Sequence, residues 1–268
     1  MLRLFLAVIL LSFMAPYGYS QVLLTPSAQT SGKGTLRAGV GVEYYSKHTS
    51  PGPDLPVTET RLFTAAAHMG VADNVNFDLD WRGLLLATTS SGELQSDWGD
   101  LTVSTRIRFV SEDENVPAIG VRSSVKLPNT SFVPYPLGSN ETDYGISLLL
   151  TKAFGSLEAR MNLGFSILGD PVHKGTQNDV YSLGILMLLP GNEAFQPFVE
   201  CFGFSGYMKD DDKLVVRGGA TVPLSNVLVN IYASVRALGS NKDFGTAFEL
   251  SENWSVVIML LKDFHLPI

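Results

Sequence analysis

Three observations predict an all-β fold closed into an antiparallel transmembrane barrel. Side chains alternate with period two, the alternating segments run to about ten residues or more, and their connectors alternate between long and short. The stretch from Trp98 to Pro128 shows the alternation best. Leu101, Val103, Thr105, Ile107 and Phe109 share one face, and Asp100, Thr102, Ser104, Arg106 and Arg108 share the other. Successive side chains of a strand point to opposite sides, so this is strand periodicity. After an acidic turn at 111–115 the chain returns with Ile119, Val121, Val125 and Leu127 against Arg122, Ser124 and Lys126. Such faces fit a soluble sandwich with its charges in water, or a membrane barrel with its apolar face in lipid and its charges in the lumen.

Length favours the barrel. A tilted strand crosses a bilayer in ~9–11 residues, whereas globular strands average ~5–6. The predicted strands are 34–46, 60–72, 75–87, 99–110, 117–128, 142–154, 156–168, 178–189, 195–208, 213–222, 227–238 and 243–250. Their faces repeat the pattern. Leu36, Ala38, Val40, Val42 and Tyr44 oppose Arg37, Gly39, Gly41 and Glu43; Val75, Phe77, Leu79 and Trp81 oppose Asn76, Asp78, Asp80 and Arg82. Leu157, Ala159, Met161, Leu163, Phe165 and Ile167 oppose Glu158, Arg160, Asn162, Gly164 and Ser166. A further segment, Trp254 to Asp263, reads as a thirteenth strand where bacterial barrels are usually even. Twelve strands are expected, with fourteen as the alternative.

The connectors 47–59, 88–97, 129–141 and 169–177 are long, while 73–74, 111–116, 155 and 223–226 are tight. Long loops at one end and tight turns at the other are the mark of a barrel inserted from one side of a membrane. Aromatic residues near strand ends, among them Tyr44, Trp81, Trp98, Phe109, Tyr144, Phe154 and Trp254, suit interfacial girdles.

The residues Gly99-Asp100-Leu101 opening a strand, Lys126-Leu127-Pro128 ending the next, and a later strand closing on Lys152-Ala153-Phe154-Gly155 carry a family likeness. In that order and spacing the chain resembles the bacterial outer-membrane β-barrel family named "MetA-pathway of phenol degradation". The match is sharp over residues 98–165, and Asn129-Thr130-Ser131 stands where family members usually carry Thr-Gly. The resemblance implies outer-membrane passage of small, aromatic or otherwise hydrophobic compounds.

Residues 1–20 read as a secretory signal peptide: Arg3, an apolar run from Leu4 to Met14, then Pro16, Gly18 and Ser20 before Gln21. That leaves 21–268 as one barrel domain in a Gram-negative-type outer membrane, with membrane lipid and a small-molecule solute as partners. A formal charge of -7 argues against a nucleic-acid partner. The single cysteine, Cys201, allows no internal disulfide.

Catalytic, metal and cofactor motifs are not found. His48, His68, His173 and His265 lack metal-ligand spacing, and no serine can be assigned to His68, which shares a face with Leu62, Thr64 and Ala66. The run Lys209 to Lys213 lacks the glycine and distal glutamate of a calcium loop. No enzymatic role and no cofactor are expected.

The constellation that remains is a charged lumen: Asp78, Asp80, Arg82, Arg106, Arg108, Arg122, Lys126, Glu158 and Arg160. With these faces inward, acid on one strand meets base on its neighbour, and the path is narrow because a barrel of this size partly fills itself. The expected function is a channel for small solutes. The alternatives are a non-conducting structural or surface-interaction barrel using loop 129–141, and a secreted soluble β-sandwich binding module.

Overall fold

In the computed structural model, alternation becomes wall. The structure describes residues 23–46, 57–129, 139–169, 176–192, 194–207, 212–239 and 253–267. Its strands are β1 (Thr35–Ser46), β2 (Val57–Ala72), β3 (Val75–Thr89), β4 (Leu94–Trp98), β5 (Leu101–Val110), β6 (Ala118–Leu127), β7 (Asp143–Phe154), β8 (Leu157–Gly169), β9 (Gln177–Leu188), β10 (Gln196–Gly206), β11 (Lys213–Leu224), β12 (Val227–Leu238) and β13 (Trp254–His265). β1 pairs with both β2 and β13, β2 with β3, and β3 with β5, after which each strand pairs with the next. Twelve antiparallel strands therefore close on themselves, with β4 as a short additional strand. This closure rules out the open two-sheet sandwich.

Two predicted boundaries need correction. The segment 88–97, expected as a long polar loop, is largely strand: β3 continues to Thr89, and its far half pairs with β4 from Leu84↔Trp98 to Thr88↔Leu94. The near half pairs with β5, from Val75↔Ile107 to Trp81↔Leu101. β4 and β5 are thus two pieces of one path along β3, broken at Gly99-Asp100, where Gly99 N–H donates to the Gly83 carbonyl and Arg82 N–H to the Asp100 carbonyl. A Cβ on Gly99 would lie 2.0 Å from the Arg82 carbonyl oxygen, so glycine is required at the break. The irregularity also exchanges the faces of β3. Asn76 and Asp78 are buried before it; Leu85, Ala87 and Thr89 are buried after it.

The second correction is at the end of the chain. Trp254–His265, surplus in the predicted count, is the strand that joins β12 to β1. The predicted strand 243–250 lies outside the described residues. Arg37 and Asp263 face each other across the β1–β13 seam, with Arg37 Nε and Nη2 donating to the two carboxylate oxygens at 2.6 Å each. This two-pronged contact fixes the register of closure.

Val40, Phe63, Ile107, Leu163, Ile185, Ile231 and Ile258 stand outward and exposed, an apolar band that water would not tolerate and lipid requires. Aromatic rings edge it. Toward the long loops Trp81 stacks on Trp98 at 5.7 Å, Tyr44 meets Trp254 at 5.3 Å and Phe165 meets Tyr181 at 5.4 Å. Toward the tight turns stand exposed Phe109, Phe154 and Phe264. The band and its closure place the protein in an outer membrane.

The β5–β6 turn carries a local pH response. Asp113 accepts from the backbone N–H groups of Asn115 and Val116 at 2.8 Å each, and these donors hold its carboxyl below the usual carboxylate range. A lowered folded value means that the turn's gain is present above the unfolded value, about 3.9, and fades as pH falls through the lower folded value. Carboxyl chemical shifts should show Asp113 titrating below about 3.9; a midpoint at or above that would contradict the turn geometry.

Candidate functional site in the barrel lumen

The lumen contains a segment of the chain itself. Leu23 to Gly34 precedes β1, twelve residues that span up to about 40 Å when extended, enough to enter at the tight-turn end and cross the interior. Leu23, Thr25, Ser27 and Ala28 are buried there. At the rim, Gly34 N–H donates to the Gly70 carbonyl, Thr30 Oγ1 to the Asp73 carbonyl and Ser31 N–H to Asn76 Oδ1. A Cβ at Gly70 would fall 1.7 Å from the Gly32 carbonyl oxygen, so the wall is cut back where the segment passes. Deeper in, Ala28 N–H donates to Thr151 Oγ1 (2.9 Å), Asn162 Nδ2 to the Pro26 carbonyl (3.1 Å), and Thr25 N–H to Glu200 Oε1 (2.7 Å). Among the described residues the segment pairs with no strand, so these wall side chains supply partners that let its backbone be buried.

Arg106 is the principal anchor. Its Nε donates to Asp78 Oδ2 at 2.8 Å, and Nη1 donates to the carbonyls of Ser27 (3.0 Å) and Gln29 (3.4 Å). The side chains of Arg106 and Asp78 are 2% and 5% exposed, so each ion depends on the other for compensation.

The remaining predicted charges fall into separate groups. Asp80 accepts from His68 Nε2 at 2.8 Å. Arg82 sits at the β3 irregularity, on the cavity wall. Arg108 lies at the rim, donating to Gln29 Oε1 and the Asp73 carbonyl. Arg122 donates through Nε to Ser104 Oγ at 3.2 Å. Lys126 lies toward the long loops, 2.5 Å from Asp143 and 3.6 Å from Asp100, and donates to Ser139. Glu158 and Arg160 pair at 2.7 Å deep in the wall. Among the described residues these charges form no single ring. Sequence reasoning passed over Glu200, which the segment's Thr25 contacts and Arg217 approaches at 3.7 Å, as well as Thr151 and Asn162.

The nine predicted charges lie on β3, β5, β6 and β8. From β9 to β13 the inward face carries apolar clusters beside buried polar groups such as Glu200 and Arg217: Leu186, Leu188, Phe198, Tyr232 and Val257 pack on Leu23, and Phe202 with Val215 packs on Leu24. The physical reason for these clusters is the segment, which presents Leu23 and Leu24 to that wall. Above the segment a cavity of about 270 Å³ remains. Leu23, Leu24 and Pro26 line it, with Asp80, Arg122 and Lys126 on one wall and Phe202, Phe204 and Tyr232 on another.

No family model and no curated protein matches the sequence. Among solved structures, the chain is similar to the COG4313 outer membrane channel from Pseudomonas putida F1, with a TM-score of 0.66 at 11% identity over 90% of this chain and 100% of that one. It is also similar to the NanC porin, with a TM-score of 0.57 at 9% identity over 86% and 100% of the two chains. Likeness at these identities shows the fold, and the protein is an outer-membrane β-barrel.

Proposed function

We propose that this barrel is a channel for small, aromatic or otherwise hydrophobic solutes, with residues 1–20 as its export signal and 21–268 as the channel, gated by Leu23–Gly34. The observation that supports it most is the two-sided cavity above the segment, where charged groups face an aromatic wall. Ligand pockets are concave, largely apolar and furnished with a few placed polar groups. The resemblance to the phenol-degradation family points to the same solute class, and the solved neighbours are named as a channel and a porin.

The gate follows from how the segment is held. The segment is held by hydrogen bonds, each worth about 1 kcal/mol net and about 1.5–3 when a charged group takes part, and by Leu23 and Leu24 packed on the apolar wall, non-covalent contacts that can be released while the strands of the wall stay paired. Of the predicted charges, Arg106, Asp78 and Arg108 serve the segment, while Arg122, Lys126, Asp80 and Arg82 face the path. The test is uptake into proteoliposomes. Small aromatic acids should enter faster than through protein-free vesicles, and disaccharides should be retained. Absence of both conductance in planar bilayers and uptake of any aromatic solute would favour the second reading, a non-conducting structural barrel. That reading draws on the burial of Thr25, Ser27 and Ala28 in the lumen.

A further inference from the structure

Charge accounting on the cavity wall singles out one cation. Of the basic groups on or near the lumen, Arg106 pairs with Asp78, Arg160 with Glu158, and Lys126 with Asp143 and Asp100. Arg217 lies 3.7 Å from Glu200 and over the Tyr232 ring, and Arg82 is engaged as well. Arg122 differs. Its one hydrogen bond among the described residues runs from Nε to Ser104 Oγ, which leaves both terminal nitrogens without a partner. Its charge acts on Asp80, which His68 already holds at 2.8 Å.

The register shows what lies beside it. Arg122 is opposite Ser147, Ser147 opposite Gly164, Gly164 opposite Ser182, and Ser182 opposite Phe204. Four strand spacings of ~4.8 Å make this row about 19 Å along the curved wall. A Cβ on Gly164 would meet both Ser182 Oγ and Ser147 Oγ, at 2.3 and 2.8 Å, so the three small residues converge on the lumen side and form a shallow trough. At its far end Phe204 stands edge-on to Phe202, ring centres 5.2 Å apart, above Leu24. A guanidinium with two open donors at one end and an aromatic wall at the other match a ligand with an anionic head and an apolar body. A planar guanidinium takes a carboxylate through paired parallel donors.

We infer that the cavity binds monocarboxylates with an elongated apolar or aromatic tail, the carboxylate on Arg122 and the tail along Ser147, Gly164 and Ser182 toward Phe204. This rests on the channel reading and names the solute class for its cavity. Three of the four cations predicted on β5 and β6 are thereby excluded as the anion site, since each already has its partner.

The test uses the full barrel in lipid nanodiscs with two probes of like shape, 4-phenylbutyrate and its neutral counterpart 4-phenyl-1-butanol, titrated calorimetrically at pH 7.5. Wild type should bind 4-phenylbutyrate the more tightly. Arg122→Gln should weaken 4-phenylbutyrate by about ten- to a hundredfold, the loss expected for a hydrogen bond to a charged group, and leave 4-phenyl-1-butanol within about twofold. Arg122→Lys should retain part of the preference, because charge survives where the paired donors do not. Equal loss of both probes in Arg122→Gln, no loss of either, or no 4-phenylbutyrate binding by wild type would overturn the assignment. Binding and uptake of 4-phenyl-1-butanol separate the two levels. If they persist while the carboxylate preference is absent, the channel stands and Arg122 does not; if wild type binds and passes neither probe, the channel reading falls too.

Discussion

Arg106→Leu is expected to destabilise the barrel by about 3–5 kcal/mol, the usual result of leaving one member of a buried ion pair uncompensated. Asp78 would remain nearly enclosed, with its former partner replaced by an apolar side chain. The same substitution removes the donor to the Ser27 and Gln29 carbonyls, so the segment should also loosen and ion conductance should rise. Adding Asp78→Leu separates the two effects. Replacing both ions with apolar groups is often close to neutral, so most of the stability should return while the raised conductance stays, because the carbonyls still lack Arg106. Urea unfolding in lipid, followed beside single-channel recording, reads both quantities. A double variant as unstable as the single one would contradict the pairing.

Val103→Arg should impair folding into lipid by about 2–4 kcal/mol, the cost of a cation on the lipid face near the midplane. Val103 lies on the outward side of β5, between Phe109 toward the tight turns and Trp98 toward the long loops, and pairs with outward Leu79 and Val125. The neighbouring inward position, Thr102, is on the cavity wall. Thr102→Arg should therefore cost far less. Folding yields into lipid vesicles compare the two, and equal yields would show that the β5 faces are assigned the wrong way round.

Where one side of a strand meets lipid and the other meets charge, the pattern was readable in advance. Leu101 to Phe109 against Arg106 and Arg108 is such a case: the strand and its two faces follow from it, and the structure adds the register and the Asp78–Arg106 contact between neighbouring strands. Where a strand is apolar on both sides, alternation disappears. In β13, outward Val256, Ile258 and Leu260 alternate with inward Val257, Met259 and Leu261, so the run reads as uniformly hydrophobic and its place as the closing strand is hidden. The break at Gly99 was invisible for another reason. The need for glycine there comes from the Arg82 carbonyl on β3, seventeen positions earlier in the chain, and no local pattern reports it.

The N-terminal segment was the largest omission. Leu23-Leu-Thr-Pro-Ser-Ala-Gln-Thr has neither strand nor helix period, and its partners, Arg106, Thr151, Asn162 and Glu200, are distant in sequence. A hint lay in the same apolar strands, since inward Leu186, Phe198 and Tyr232 would be out of place in a lumen filled only with water. The partners of the charged residues depend on this segment, and so their division into anchors and path-lining groups could not be read from spacing.

Whether the segment closes the lumen is tested most directly by single-channel conductance of the intact barrel beside a variant lacking Leu23–Gln29, each shown to be folded by its resistance to heat-induced unfolding in detergent. The intact protein should conduct weakly and the shortened one should conduct several times more, because the cavity floor and the group bound by Arg106, Thr151, Asn162 and Glu200 are gone. Equal conductance from the two proteins would contradict a lumen closed by its own N-terminal segment.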